Sequence, residues 1–171
     1  MQSNRPALVV MGVSGCGKSS AAAAIAGAIG GRMIEGDTYH PPENVEKMRN
    51  GIPLDDEDRA GWLDRLAGIL AEDVARGEIP VLACSALKAR YRNVLRGATP
   101  GLGFVFLELT REAAFERVGH RPGHYMPSSL VDSQFAALEP PVEEEGVLTV
   151  DATRPLADIV ENTRAWLSGG R

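Results

Sequence analysis

The sequence predicts an α/β fold built on a parallel sheet, and two observations carry that reading. Short apolar runs alternate with longer amphipathic segments, and several runs are apolar at every position rather than at every second one. Strands covered by helices on both faces have this composition, because neither side meets water. The second observation is the segment Gly12-Val13-Ser14-Gly15-Cys16-Gly17-Lys18-Ser19, which satisfies G-x-x-x-x-G-K-[ST] in full, between a strand-like run and a helical one.

The apolar runs are Ala7–Met11, Met33–Glu35, Pro80–Cys84, Gly103–Leu109 and Gly146–Val150. Between them, Lys18–Ile29 is alanine-rich and reads as a helix. Asp58–Gly77 sets Trp62, Leu63, Leu66, Ile69, Leu70 and Val74 on one helical side, with Asp58 or Asp56 as cap and Gly77 as terminator. Further helices are expected at Ala86–Arg96, Arg111–Val118, Ser128–Leu138 and Pro155–Leu167, with Pro155 in a first turn. Such βαβα alternation implies three layers joined by right-handed crossovers. Two stretches read as irregular, Pro41–Asp58 and Gly119–Pro127, and irregular segments in a regular domain often carry function.

At 171 residues and 44% hydrophobic composition, the chain suits one domain spanning 1–171 with one good core. Its net charge of −5 speaks against a nucleic-acid or anionic-membrane partner and favours a small molecule. Neither a signal peptide nor an 18-residue apolar stretch is evident, and Cys16 and Cys84 form no CxxC pair. A reducing, cytoplasmic setting is expected.

The glycines of the loop let successive N–H groups turn toward one anion, and the following helix adds partial positive charge. Gly12, Val13, Ser14, Gly15, Cys16, Gly17, Lys18, Ser19 and the adjacent Ser20 are therefore the candidate ATP site. Lys18 would reach the β- and γ-phosphates and Ser19 would ligate Mg²⁺. Motor and switch ATPases usually carry an acid at the end of a later strand, but here the third run ends in Cys84-Ser85-Ala86. Glu35 and Asp37 after the second run are the nearest carboxylates, an arrangement that suits a small-molecule kinase.

The stretches GVSGCGKSS, EGDTYHPPENVEKM, GIPLDDEDRAGWL, CSALKARYRNVLR, RVGHRPGHYM and QFAALEPP follow one another across nearly the whole chain. Together they resemble the gluconokinase family of the thermoresistant type, P-loop kinases related to shikimate and adenylate kinases. The resemblance implies a five-stranded parallel sheet in the order 2-3-1-4-5 with flanking helices, a substrate region at about 37–62 and a lid at about 117–130. It further implies ATP-dependent phosphorylation of D-gluconate to 6-phosphogluconate with Mg²⁺, and commonly a homodimer.

Within that reading Asp37 is the candidate general base for the sugar hydroxyl, and Glu35 holds a magnesium-bound water. His40, held extended by Pro41, is expected to line the sugar pocket. Gluconate's carboxylate needs a cation, for which Arg59, Lys88 and Arg92 are the candidates, and the Ser85 hydroxyl is a further substrate contact. Trp62 reads as core and Cys16 as a small filler. Arg117, Arg121 and His124 fall in the lid, where arginines would neutralise charge on the transferred phosphate and exclude water. The Asp151–Pro155 loop is expected near the adenine. Rival readings are a kinase for another small anion such as shikimate, and a regulatory module that uses ATP only as a switch.

Overall fold

The computed structural model describes residues 5–119 and 128–169. Five parallel strands form one sheet in the order β2-β3-β1-β4-β5: β1 Leu8–Met11, β2 Arg32–Glu35, β3 Pro80–Ala83, β4 Gly103–Glu108 and β5 Val147–Asp151. The helices are α1 Lys18–Ile29, α2 Pro42–Arg49, α3 Asp56–Ala75, α4 Ala89–Ala98, α5 Arg111–Gly119, α6 Ser128–Ala137 and α7 Leu156–Leu167. The expected fold and strand order are both present.

β1 explains why the runs are apolar throughout. Its side chains alternate between two cores. Leu8 and Val10 pack with Ala21, Ala22 and Ile25 of α1 and with Ile159 and Leu167 of α7. Val9 and Met11 pack with Trp62, Leu66 and Leu70 of α3 and with Tyr91 and Leu95 of α4. All four β1 residues are fully buried, so each position must be apolar.

Three local departures from the sequence expectation affect the site. Pro41–Asp58 is not irregular throughout: a 3₁₀ turn at Gly36–Tyr39 leads into α2, with Pro42 at the first helical position. Asp37 accordingly sits in that turn, two residues beyond the strand that ends at Glu35. α3 begins earlier than expected, because Asp55 caps it in a reciprocal box: the Asp58 N–H donates to Asp55 at 2.7 Å and the Asp55 N–H donates to Asp58 at 3.0 Å. α4 begins three residues later than expected, because Ala86 has a positive φ of 45° and cannot continue into a helix. Pro155 caps α7 from just outside its first turn.

Gly36 is the tightest join. A Cβ there would lie 2.5 Å from the Ala83 carbonyl oxygen on neighbouring β3. Gly36→Ala should therefore cost about 1–3 kcal/mol by overpacking. Urea unfolding measures this, and a midpoint equal to that of the parent chain would show that the join can relax.

Candidate active site

The site is assembled at the carboxyl ends of β1, β2 and β3. After β1 the chain turns through Gly12, Gly15 and Gly17, whose φ angles of 147°, 87° and 90° favour glycine. At Gly12 there is also no space, since a Cβ would lie 2.8 Å from Cys16 Sγ and 2.9 Å from the Leu107 carbonyl oxygen. Cys16 is buried there as loop filling. The loop is tied to the next strand end, because the Gly12 N–H donates to the Ser85 carbonyl at 3.3 Å. Lys18 opens α1, and its ammonium donates to the Val13 carbonyl at 3.2 Å. Ser19 and Ser20 follow on the exposed side of the first turn.

The Ser19 hydroxyl donates directly to the Glu35 carboxylate at the end of β2. A hydroxyl and a carboxylate at the mouth of a phosphate loop form an oxygen pair suited to Mg²⁺. That ion is held by one or two protein oxygens, with phosphate oxygens and waters completing its shell.

Asp37, His40, Arg59, Trp62 and Ser85 line one cleft of about 80 Å³ together with Ser14, Lys18 and Gln134. Asp37 is exposed to that cleft, and its Oδ1 lies 3.8 Å from Nε2 of His40. The His40 ring stacks on Trp62 with centroids 4.0 Å apart and planes 16° from parallel. Trp62 belongs to the core, and its indole N–H donates to the Gly36 carbonyl at 2.8 Å. The Asn44 side chain donates to the Asp58 carbonyl at 2.8 Å, so its amide nitrogen faces His40 Nδ1 at 3.2 Å. Nδ1 is then the acceptor, and the ring proton sits on Nε2, toward Asp37. Burial lowers the His40 pKa, the Arg59 charge lowers it further, and Asp37 opposes both. The ring is therefore neutral near pH 7.

Arg59 is the second cation of the cleft, beside Lys18. Its guanidinium donates to the Leu54 carbonyl at 2.7 Å and to the Tyr91 hydroxyl at 3.3 Å, and it stands over the Tyr91 ring. α2 is clamped to the start of α3 by Lys47, whose ammonium reaches both Asp58 oxygens at 2.9 Å and holds that carboxyl below its usual range.

No family model matches the chain. Individual proteins do. A gluconokinase of Gluconobacter oxydans is 46% identical over 147 residues, covering 86% of this chain and 83% of the relative. The thermosensitive gluconokinase of Escherichia coli is 38% identical over 157 residues, covering 91% and 84%. The chain belongs to the gluconokinase family. The crystal structure of a gluconokinase from Sinorhizobium meliloti agrees, with a TM-score of 0.89 at 48% identity over 99% of this chain and 94% of that one.

Not every residue expected at the gluconokinase site reaches the cleft. Arg92 is the clearest correction. Its side chain is fully buried, and it donates to Glu144 at 2.9 and 2.5 Å, to the Ala86 carbonyl at 2.7 Å and to the Glu139 carbonyl at 2.7 Å. It braces the left-handed turn at Ala86 that follows Ser85, so it acts on the wall and not on a ligand. Glu144 is held below the usual carboxylate range by Arg92 first and by Arg96 as well. Lys88 lies outside the cleft lining, paired with Asp56 at 3.1 Å. Arg117 is on the nucleotide side, donating to the Gly15 carbonyl at 3.0 Å and the Ala152 carbonyl at 3.2 Å. Arg121 and His124 lie outside the described residues. Cys84 is fully buried, which pushes its thiol up to about 12 and makes it inert.

Gln134 and Asn44 are polar residues at the site that had no expectation attached. Gln134 of α6 accepts from the Ser14 N–H at 2.6 Å, and Asn44 is 2% exposed beneath His40. Asn44 was findable, since a polar residue one turn after a histidine at a helix start is placed to meet it. Gln134 joins a partner 120 positions away and carries no local signal.

Arg92→Met should destabilise the fold by about 1–3 kcal/mol, because it leaves the Ala86 and Glu139 carbonyls without their donor and Glu144 paired with Arg96 alone. Urea melts and substrate KM separate the roles: a large rise in substrate KM with unchanged stability would return Arg92 to the ligand. For His40 the unfolded chain takes up a proton before the folded one does as pH falls below about 6.5. Its contribution to stability is therefore complete above that pH and declines toward the lower folded pKa. His40→Gln should flatten that part of the pH dependence of the urea midpoint, and an unchanged slope would contradict the assignment.

Proposed function

We propose that the chain catalyses ATP-dependent phosphorylation of D-gluconate to 6-phospho-D-gluconate, the activity for which its gluconokinase relatives are named. The observation that carries this reading is one cleft lined by both Lys18 of the phosphate loop and the Asp37 carboxylate, with Arg59 as a cation for an acidic acceptor. A nucleotide switch would have no use for an acceptor-side carboxylate beside a guanidinium.

In this mechanism the phosphate-loop N–H groups and Lys18 hold the triphosphate of ATP in line with the sugar's terminal hydroxyl. Asp37 orients that hydroxyl and accepts its proton as the γ-phosphoryl group transfers. The neutral His40 ring presents its Nε2–H on the acceptor side, where it donates to a sugar hydroxyl. Ser85 lines the same wall, and Arg59 pairs with the gluconate carboxylate. Ser19 and Glu35 would hold Mg²⁺, which supplies charge neutralisation on the phosphates. Arg117 and, from the lid, Arg121 and His124 would complete the phosphate and sugar contacts and exclude water. The same reading takes residues 1–171 as one domain, in a cytoplasmic enzyme that works as a homodimer.

The deciding assay follows ADP release with gluconate, shikimate, nucleoside monophosphates or no acceptor. Gluconate alone should drive turnover; equal release in every arm would overturn the reading. Asp37→Asn should lower kcat by roughly 10²–10⁴-fold with ATP affinity retained. Near-normal turnover in that variant would remove Asp37 as the base.

A further inference from the structure

Gln134 stands in an unusual position for a side chain with no charge. It lies on α6, the first helix after the 120–127 segment, yet it reaches the phosphate loop and lines the acceptor cleft. The Ser14 backbone N–H can only donate, so the carboxamide atom 2.6 Å from it must be the oxygen, Oε1. That bond fixes the orientation of the whole amide. Its NH₂ group occupies the opposite branch, which leaves Gln134, a residue of the cleft lining, a donor end not used by that bond.

The position along the cleft follows from the same contact. Ser14 belongs to the loop that cradles the triphosphate, so a side chain bonded to it sits at the phosphoryl-transfer end. Arg59, held by the Leu54 carbonyl and Tyr91, supplies the cation for the acceptor's carboxylate. Asp37 is committed to the hydroxyl that is phosphorylated. The next polar group along the sugar from that end is the neighbouring hydroxyl on C5. We propose that Gln134 is a specificity-determining residue whose carboxamide NH₂ donates to the C5 hydroxyl of the acceptor. The proposal rests on gluconate being the acceptor. A neutral amide suits this double role, because it satisfies the loop N–H with one end and the sugar with the other, adding no negative charge beside the triphosphate.

A site that hydrogen-bonds a substrate hydroxyl discriminates strongly against the analogue that lacks it, because its own polar group is left unpaired. The measurement is therefore a ratio: kcat/KM for gluconate over that for 5-deoxygluconate, two acceptors of equal charge. It is taken for the parent chain, Gln134→Met and Gln134→Glu. Met keeps the volume and loses both ends of the amide. Glu keeps an oxygen for the Ser14 N–H and loses the NH₂ donors, and its added charge cancels in the ratio. The preference for gluconate should fall by about tenfold or more in both variants. Retention of the preference in the Glu variant but not the Met variant would make Gln134 a brace for the loop, and retention in both would remove it from the acceptor site. Either result overturns the proposal. Absence of gluconate-dependent ADP release in the parent chain would instead overturn the reading on which it rests. Thermal melts of the three proteins guard the comparison, since a ratio read on folded enzyme does not depend on how much of it is folded.

Discussion

Crowding of backbone against backbone at the carboxyl edge of the sheet is the constraint on which the rest of the structure depends. β1 lies between β3 and β4, and β2 flanks β3, so three strand ends and the phosphate loop must share one small volume. Gly12 turns there against Cys16 and the Leu107 carbonyl, and Gly36 turns against the Ala83 carbonyl. Neither position admits a side chain without movement of backbone. This close approach lets Lys18 from one turn, Asp37 from the next and Ser85 from the third line the same cleft. A parallel sheet offers the arrangement at its carboxyl ends, where successive loops emerge on one edge.

Around that edge, charged and polar side chains serve largely to hold shape. Arg92 is the strongest example, a buried cation whose hydrogen bonds go to Glu144 and to the carbonyls of Ala86 and Glu139. The Ala86 turn has a strained, positive φ, and a charge-assisted network is the kind of support that keeps such a turn in place. On the other wall, Lys47 and Asn44 both grip Asp58, which joins α2 to the capped start of α3. Asn44 then sets the tautomer of His40, while Trp62 sets the plane of its ring. The imidazole is thus oriented from below and from the side before any ligand arrives, which reduces the ordering cost of binding.

Much of this was legible in the residues themselves, for physical reasons that differ from element to element. The strands announced themselves because burial on both faces leaves no polar position in β1 or β3. The phosphate loop was legible because its geometry is a property of eight consecutive residues. α2 was harder to see: Asn44 is its one buried residue, so it has no apolar stripe to betray the helical period. α4 was placed too early, because nothing in the local sequence signals that Ala86 would adopt a left-handed conformation.

Lys88 and Arg92 mark the boundary between the two kinds of information. Both are basic residues, four apart in the chain, Lys88 just before α4 and Arg92 within it, and local chemistry alone makes either a fair partner for an acidic substrate. The difference is decided by acids that arrive from distant parts of the chain: Asp56, 32 positions from Lys88, and Glu144, 52 positions from Arg92. Gln134 is the reverse case, an ordinary helical residue given a site by a loop 120 positions away. The sequence by itself determined the strands, the anion-binding loop and the stock of acids and cations, because each depends on neighbours in the chain. Which of those side chains meet a ligand and which hold the wall was decided only by tertiary structure, because a charge pairs with whatever opposite partner the fold brings within reach.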